Sequence, residues 1–282
     1  MTQQQNAITP RHFHFQLADD IPKHWHSNDP FITHFFNGLS TLFPEGERFF
    51  VDSVRHYRNQ ITDPKLKEEV RGFIAQEALH SREHIEYNRI LKHQGYDIDK
   101  LDRRLNRLLS YARKYLSPKR QLATTCALEH FTAIMAASLL EDPEWLQGAD
   151  PRIAMLWRWH ALEETEHKAV CYDVYQTIGG GYFCRTLTMI EMTLLFFFMA
   201  IRHHAAFLRR DGLLFNIKAW LKGLNFLWGK PGILRRLFFD YFDYFRPNFH
   251  PWQHNNKRTM TKWQDYFELH SSDLQKKPKQ AA

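Results

Sequence analysis

Two stretches decide the reading: AQEALHSREH at residues 75–84 and WHALEETEHKAVCYDVY at residues 159–175. Each holds a Glu-x-x-His, Glu77 with His80 in the first and Glu164 with His167 in the second. Three residues apart on a helix is one face, so each stretch aims a carboxylate and an imidazole the same way. The residues that continue those faces are mostly apolar. Leu66, Val70, Phe73, Glu77, His80, His84, Asn88 and Leu91 form one stripe at spacings of three and four, and Ile153, Leu156, His160, Glu164, His167, Cys171 and Val174 form another. Acidic side chains therefore stand where a helix packed on a core places apolar ones.

Working outward, a lone glutamate precedes each pair. Glu47 shares a stripe with Phe50, Val51 and Val54, and Glu129 lies among Leu122, Cys126, Ala133, Ala136 and Leu140. A buried carboxylate without a partner is costly. Four of them on inward faces need cations, and Lys and Arg are scarce on these stripes. A Glu from each of two helices plus Glu-x-x-His from the other two is the ligand set of di-iron and di-manganese carboxylate bundles. About one Glu-x-x-His arises by chance at this composition, so it is the matched doubling that carries the argument.

Helix starts are marked by Asp63-Pro64, Ser117-Pro118 and Asp150-Pro151, and Pro44 opens a helix after Phe43. Gly95 and the run 179–181 mark stops. The expected elements are long helices at 44–60, 64–93, 118–141 and 151–178, a crossover helix at 97–116, and further helices at 205–228 and 231–245. The apolar run 186–201 is shorter than the ~20 residues of a spanning helix and contains Glu191. It reads as a helix covering the bundle, with dipping into a membrane surface as the alternative.

The chain has 282 residues, 44% hydrophobic and 15% aromatic, with 17 histidines, and one large globular domain fits those figures. The expected organisation is an arm at 1–30, a di-metal bundle at 31–180, apolar and basic aromatic helices at 181–262 and a polar tail at 263–282. Three cysteines give no framework, and the first residues lack a secretory pattern, so a cytoplasmic location is expected, membrane association being the open alternative. The net charge of +7 is concentrated after residue 202 among Phe, Trp and Leu, which favours a membrane contact through 186–245 over nucleic acid. A homodimer through the same aromatic stripe is a further reading.

The runs FPEGERFF (43–50), AQEALHSREH (75–84), ALEHFTA (127–133) and WHALEETEHKAVCYDVY (159–175) resemble the bacterial predicted metal-dependent hydrolases of the ferritin-like superfamily. The resemblance implies an all-α, ferritin-like four-helix bundle with a long crossover and additional C-terminal helices. The pattern His160-x-x-x-Glu164-x-x-His167 also resembles the arylamine N-oxygenases, which add a third histidine to one metal. Carried over by position, Glu47, Glu77, His80, Glu129, His160, Glu164 and His167 are the candidate ligands. His160 could instead orient a carboxylate from behind. Glu163 competes with Glu164 for the inward position, and His84 and Glu163 are expected behind the ligands. The arm histidines have no ligand spacing.

Two transition-metal ions follow, iron first, then manganese or zinc. The leading expectation is an O2-dependent oxidation of an apolar or aromatic small molecule, with electrons from a separate donor because no flavin or nicotinamide motif is present. Ala133, Ala136 and Ala137 would leave room for the substrate. The alternative is hydrolysis by a metal-activated water with Glu163 as base, and a non-enzymatic metal-binding bundle ranks last.

Overall fold

The computed structural model describes residues 8–276. The first seven residues of the expected arm and the last six of the expected tail lie outside the described residues. From Ile8 the arm runs extended. It buries Phe13, Phe15, Ile21 and Trp25, with Phe15 5.3 Å from the Trp159 ring. Among the described residues there is no β-strand, only an antiparallel bridge between His26 and Ala149.

The helices follow in order: α1 Pro30–Ser40, α2 Phe43–Arg55, α3 Pro64–His93, α4 Ile98–Tyr115, α5 Pro118–Glu141, α6 Pro151–His167, α7 Val170–Thr177, α8 Tyr182–Arg210, α9 Ile217–Trp228, α10 Phe238–Asp243 and α11 Lys257–Leu269. The expected caps hold. Asp63, Ser117 and Asp150 each accept from backbone N–H groups of the first turn ahead of a proline. Gly95 closes α3 with φ +91°. The α2–α3 and α5–α6 pairs pack within themselves and against each other through α2 on α5 and α3 on α6. In α3, buried Leu66, Val70, Phe73, Ile90 and Leu91 flank the polar middle of the helix. Each such side chain contributes about 1.5–3 kcal/mol relative to exposure. The expected crossover is α4, an amphipathic helix burying Ile98, Leu101, Leu105 and Leu109 against its neighbours.

Several boundaries differ from expectation. The helix expected over 151–178 breaks at Lys168–Ala169, directly after His167, where Lys168 Nζ turns out to the His254 carbonyl at 2.6 Å. The apolar run does not stop at 201. His203 and His204 face inward, so α8 continues to Arg210 and is 29 residues long. The separate helix expected from 205 begins only at Ile217, after Gly212 turns the chain with φ +72°. The helix expected over 231–245 is reduced to a 3-10 turn at Arg235–Leu237 and α10. Residues 263–269, expected in the polar tail, are the second half of α11, with Phe267 buried and stacked 5.7 Å from Phe13.

His203 is buried, bonded at Nδ1 to Thr41 Oγ1 at 2.8 Å, and its pKa is pulled down to about 4 by burial and then by Arg202 and Arg104. Its unfolded value is about 6.5, so the unfolded chain binds the proton first. The stability it contributes is fully present above pH ~6.5 and lost as pH falls toward ~4, at up to ~1.4 kcal/mol per pH unit. Thermal melts of wild type and His203→Gln should therefore converge between pH 7.5 and 5, by about 2 kcal/mol at most.

Candidate metal centre

The four inward carboxylates meet. Glu47 from α2, Glu77 and His80 from α3, Glu129 from α5 and His160, Glu164 and His167 from α6 gather in the interior, none more than 3% exposed. His80 Nδ1 lies 3.4 Å from Glu164 Oε1 and 3.7 Å from Glu77 Oε1. His160 Nε2 lies 3.1 Å from Glu164 Oε1. His167 Nε2 lies 3.2 Å from Glu77 Oε1, 3.6 Å from Glu129 Oε2 and 3.7 Å from Glu164 Oε2. Glu164 thus turns one oxygen toward His80 and His160 and the other toward His167, and Glu77 Oε1 faces both His80 and His167. Glu47 accepts from Ser81 Oγ at 2.7 Å through Oε2, and its Oε1 has no partner.

Hydrogen bonds on the far side of His160 and of His167 fix what the near side of each offers. Asn88 donates to the Ser40 carbonyl, so its oxygen accepts the Ser40 hydroxyl proton at 2.9 Å. Ser40 Oγ must then accept from His84 Nδ1, leaving His84 Nε2 to accept from His160 Nδ1, both at 2.9 Å. His160 Nε2 is therefore a bare lone pair pointed at Glu164. Gln76 Nε2 donates to Glu166 and to the Thr9 carbonyl, so its oxygen takes the His167 Nδ1 proton at 2.9 Å and bares His167 Nε2. Glu163 Oε2 sits 3.2 Å from His80 Nε2 as an ion-pair contact, and neither ring nitrogen of His80 has a hydrogen-bond partner among the described residues. Two bared nitrogens and His80 Nδ1 thus face carboxylate oxygens at 3.1–3.7 Å, and neither oxygen of Glu77 or Glu129 has a hydrogen-bond partner there. Acceptors opposed to acceptors in a dry core need cations or protons between them.

Left to protons alone, the cluster is strained. Burial and then Glu77 push Glu47 well above the usual carboxylate range, and burial and then Glu164 do the same to Glu129. Against its own burial, Glu164 is carried well below that range, foremost by His167. Burial pulls His80 down, but Glu163, Glu164 and Glu77 carry it up to about 10. His160 falls to about 4 through burial and then His80. Divalent ions would neutralise the same charges without that redistribution of protons, and hard carboxylates with imidazoles suit transition metals.

Behind the cluster runs a ring absent from the sequence reading. Arg11 on the arm grips Glu166 with both guanidinium nitrogens, at 2.8 and 2.7 Å, and lies 3.4 Å from Glu163 Oε1. Its backbone N–H donates to Glu163 Oε1 at 3.0 Å, and Trp159 Nε1 donates to the same oxygen at 3.1 Å. Glu166 also receives Gln76, which holds His167. Arg11, Gln76, Glu163 and Glu166 therefore orient His80 and His167 from outside. Glu163 Oε1 is saturated, while Oε2 faces His80 without a hydrogen-bond partner among the described residues. His84 bonds His160 and Ser40.

Two further expectations change. Ala133 and Ala137 line a cavity of only about 20 Å³, beside His130 and Lys168, which is space for one water and not for a substrate. His24, expected to be a surface or packing residue, meets Asp211 at 2.8 Å together with His34, but Lys23 already neutralises that carboxylate at 2.7 Å.

With this arrangement in view, a comparison with protein families becomes informative. The predicted metal-dependent hydrolase family matches residues 9–255. The chain belongs to that family. The match takes in every residue of the cluster and Arg11 of the arm. No curated protein and no solved structure matches the chain.

Arg11→Met tests the outer ring. It should weaken divalent-ion binding about 10–100-fold, read by chelator competition, because His80 and His167 lose their orientation. It also leaves two buried carboxylates without their cation, for an expected loss of about 3–5 kcal/mol in denaturant unfolding.

Proposed function

We propose that the chain is a metal-dependent hydrolase whose centre is a pair of divalent transition-metal ions held between α2, α3, α5 and α6 in the ferritin-like manner. Glu47, His80 and His160 would hold one ion, Glu129 and His167 the other, and Glu77 and Glu164 would be shared. One observation carries this: four carboxylates and three imidazoles buried together, their nitrogens and oxygens 3.1–3.7 Å apart, with no lysine or arginine among them in the described residues. The family's description supports hydrolysis as the reaction.

Such ions, when bound, supply Lewis acidity and a water of lowered pKa. The chain's own residues do the rest. Phe43 packs against His84 and His160 at 4.8 and 4.7 Å, and Phe73 lies edge-on to His167 at 4.9 Å, which keeps bulk water from the imidazoles. Glu77 and Glu129, with both oxygens of each unpartnered among the described residues, are the carboxylates with the most donor capacity to offer the ions. The substrate class is an apolar small-molecule ester or amide.

Oxidation is a second reading, favoured by the donor set. Four carboxylates and three imidazoles with no thiolate suit iron or manganese better than zinc. The spacing of His160, Glu164 and His167 similar to that of arylamine N-oxygenases points the same way. That reading needs dioxygen and an external electron donor.

Elemental analysis should find about two transition-metal ions per chain, and nitrophenyl esters should be cleaved in a metal-dependent way. Glu77→Ala and Glu164→Ala should lose metal and turnover together while keeping their helical circular dichroism. Both variants retaining two ions would overturn the ligand assignment. Oxygen uptake on adding reductant, with no ester cleavage, would transfer the assignment to oxidation. Loading the metal-free protein near pH 7 should release protons, and occupancy should fall as pH falls, because the ligands must be deprotonated to bind.

A further inference from the structure

Away from the cluster, α8 to α10 present an apolar face that none of the described residues covers. On α8, Phe183, Leu187, Ile190, Leu194, Phe198 and Ile201 recur at spacings of three and four and are 49–83% exposed. On α9, Ile217, Leu221, Leu224 and Trp228 continue the face, and on α10 Phe238, Phe239 and Phe242 do so, with Phe239 80% exposed. Contiguous apolar surface on this scale is rare on soluble monomers and marks a docking site. The opposite side of α8 packs on α5 and α1 and buries Arg185, His203 and His204. α8 is long enough to cross a membrane, but that packing leaves it lying along the protein with one stripe outward.

A cavity of about 420 Å³ opens in the middle of this face, within the range of sites for small apolar ligands. Ile201, Leu224, Trp228, Phe238 and Phe242 belong both to its lining and to the exposed face, so they form its mouth. Its walls are almost wholly apolar. The exception that matters is His204, 7% exposed, whose two ring nitrogens have no hydrogen-bond partner and which is wedged 4.3 Å from the Phe31 ring. A buried imidazole left unpaired in a greasy cavity calls for a ligand with one hydrogen-bonding group on an otherwise apolar body.

The charge around the face selects the partner. Arg202, Lys218 and Lys230 are exposed near it, and among the described residues none of the three is in an ion pair. Of the acids nearby, Glu191 is engaged by Arg120, Asp211 by Lys23 and Asp243 by Arg246, while Asp240 on α10 lies 3.9 Å from His254. Two copies meeting through this face would bring like charges together. An anionic lipid surface would pair with them. We propose that the α8–α10 face rests on an anionic lipid bilayer and admits from it a single-chain amphiphile into the cavity, with a polar group of that chain against His204. The proposal uses no metal ligand and stands or falls apart from the hydrolase reading.

The test uses the full chain with its metal. Wild type should co-sediment with vesicles containing phosphatidylglycerol, bind pure phosphatidylcholine vesicles roughly tenfold more weakly, and be released by salt. Leu194→Glu and Phe239→Glu, both at exposed positions, should each weaken sedimentation roughly tenfold or more. Palmitate should bind in titration calorimetry, and Ala200→Trp, which fills the cavity, should abolish that binding while leaving sedimentation intact. No sedimentation with anionic vesicles overturns the bilayer contact. So does a concentration-dependent dimer that Leu194→Glu dissociates, which would assign the face to a second copy. Palmitate binding unchanged in Ala200→Trp, or absent in wild type, overturns the cavity assignment.

Discussion

Opposed lone pairs in a dry interior are the constraint from which the rest of this structure follows. Three imidazole nitrogens and the oxygens of four glutamates converge where no lysine, arginine or backbone N–H reaches between them. Each buried charge costs several kcal/mol if left uncompensated, more than the helices around it could absorb. The apolar stripes at the ends of α3 and α6 hold the cluster shut, and divalent cations would make it tolerable.

Compensation is divided between two layers. The inner carboxylates face imidazoles and no lysine or arginine among the described residues, while the outer pair, Glu163 and Glu166, shares the single positive charge of Arg11. That division keeps Glu163 from entering the inner layer although it adjoins Glu164 in sequence. It also gives the arm a chemical task, since the arm's Phe13 and Phe15 anchor the segment that delivers the guanidinium. The two histidines of the Glu-x-x-His pairs are braced differently, His80 by a carboxylate and His167 by an amide. A carboxylate behind an imidazole raises its basicity more than a neutral amide does, so the two sides of the centre differ in donor strength.

How much of this was legible in the sequence depends on distance along the chain. Three of the four helices announced themselves through Asp-Pro and Ser-Pro caps and the other through Pro44 alone, and the inward glutamates through apolar stripes broken at fixed spacing. These are local signals. Arg11 lies 152 residues from Glu163 in an extended segment with no period, so nothing local pointed to it. Glu166 could have been suspected, since it falls three residues after Glu163 and so on one helical face, but its partner could not. The extent of α8 was misjudged for a related reason. An apolar run ending in Arg202 and two histidines looks like a boundary until packing shows both histidines pointing inward.

The metal cluster and the apolar cavity are separate in composition yet share walls. On α1, Leu39 lines the cavity while the next residue, Ser40, holds His84, which holds His160. On α5, Phe131, Ile134 and Met135 line the cavity while Glu129 faces the opposite way into the cluster. Close-packed interiors transmit displacement through such shared elements because they have little free volume to absorb it. A ligand seated in the cavity therefore leans on the two helices that set the position of His160 and of Glu129, one from each side of the centre. The C-terminal helices are in this respect part of the wall system of the metal site, not an appendage to a finished bundle.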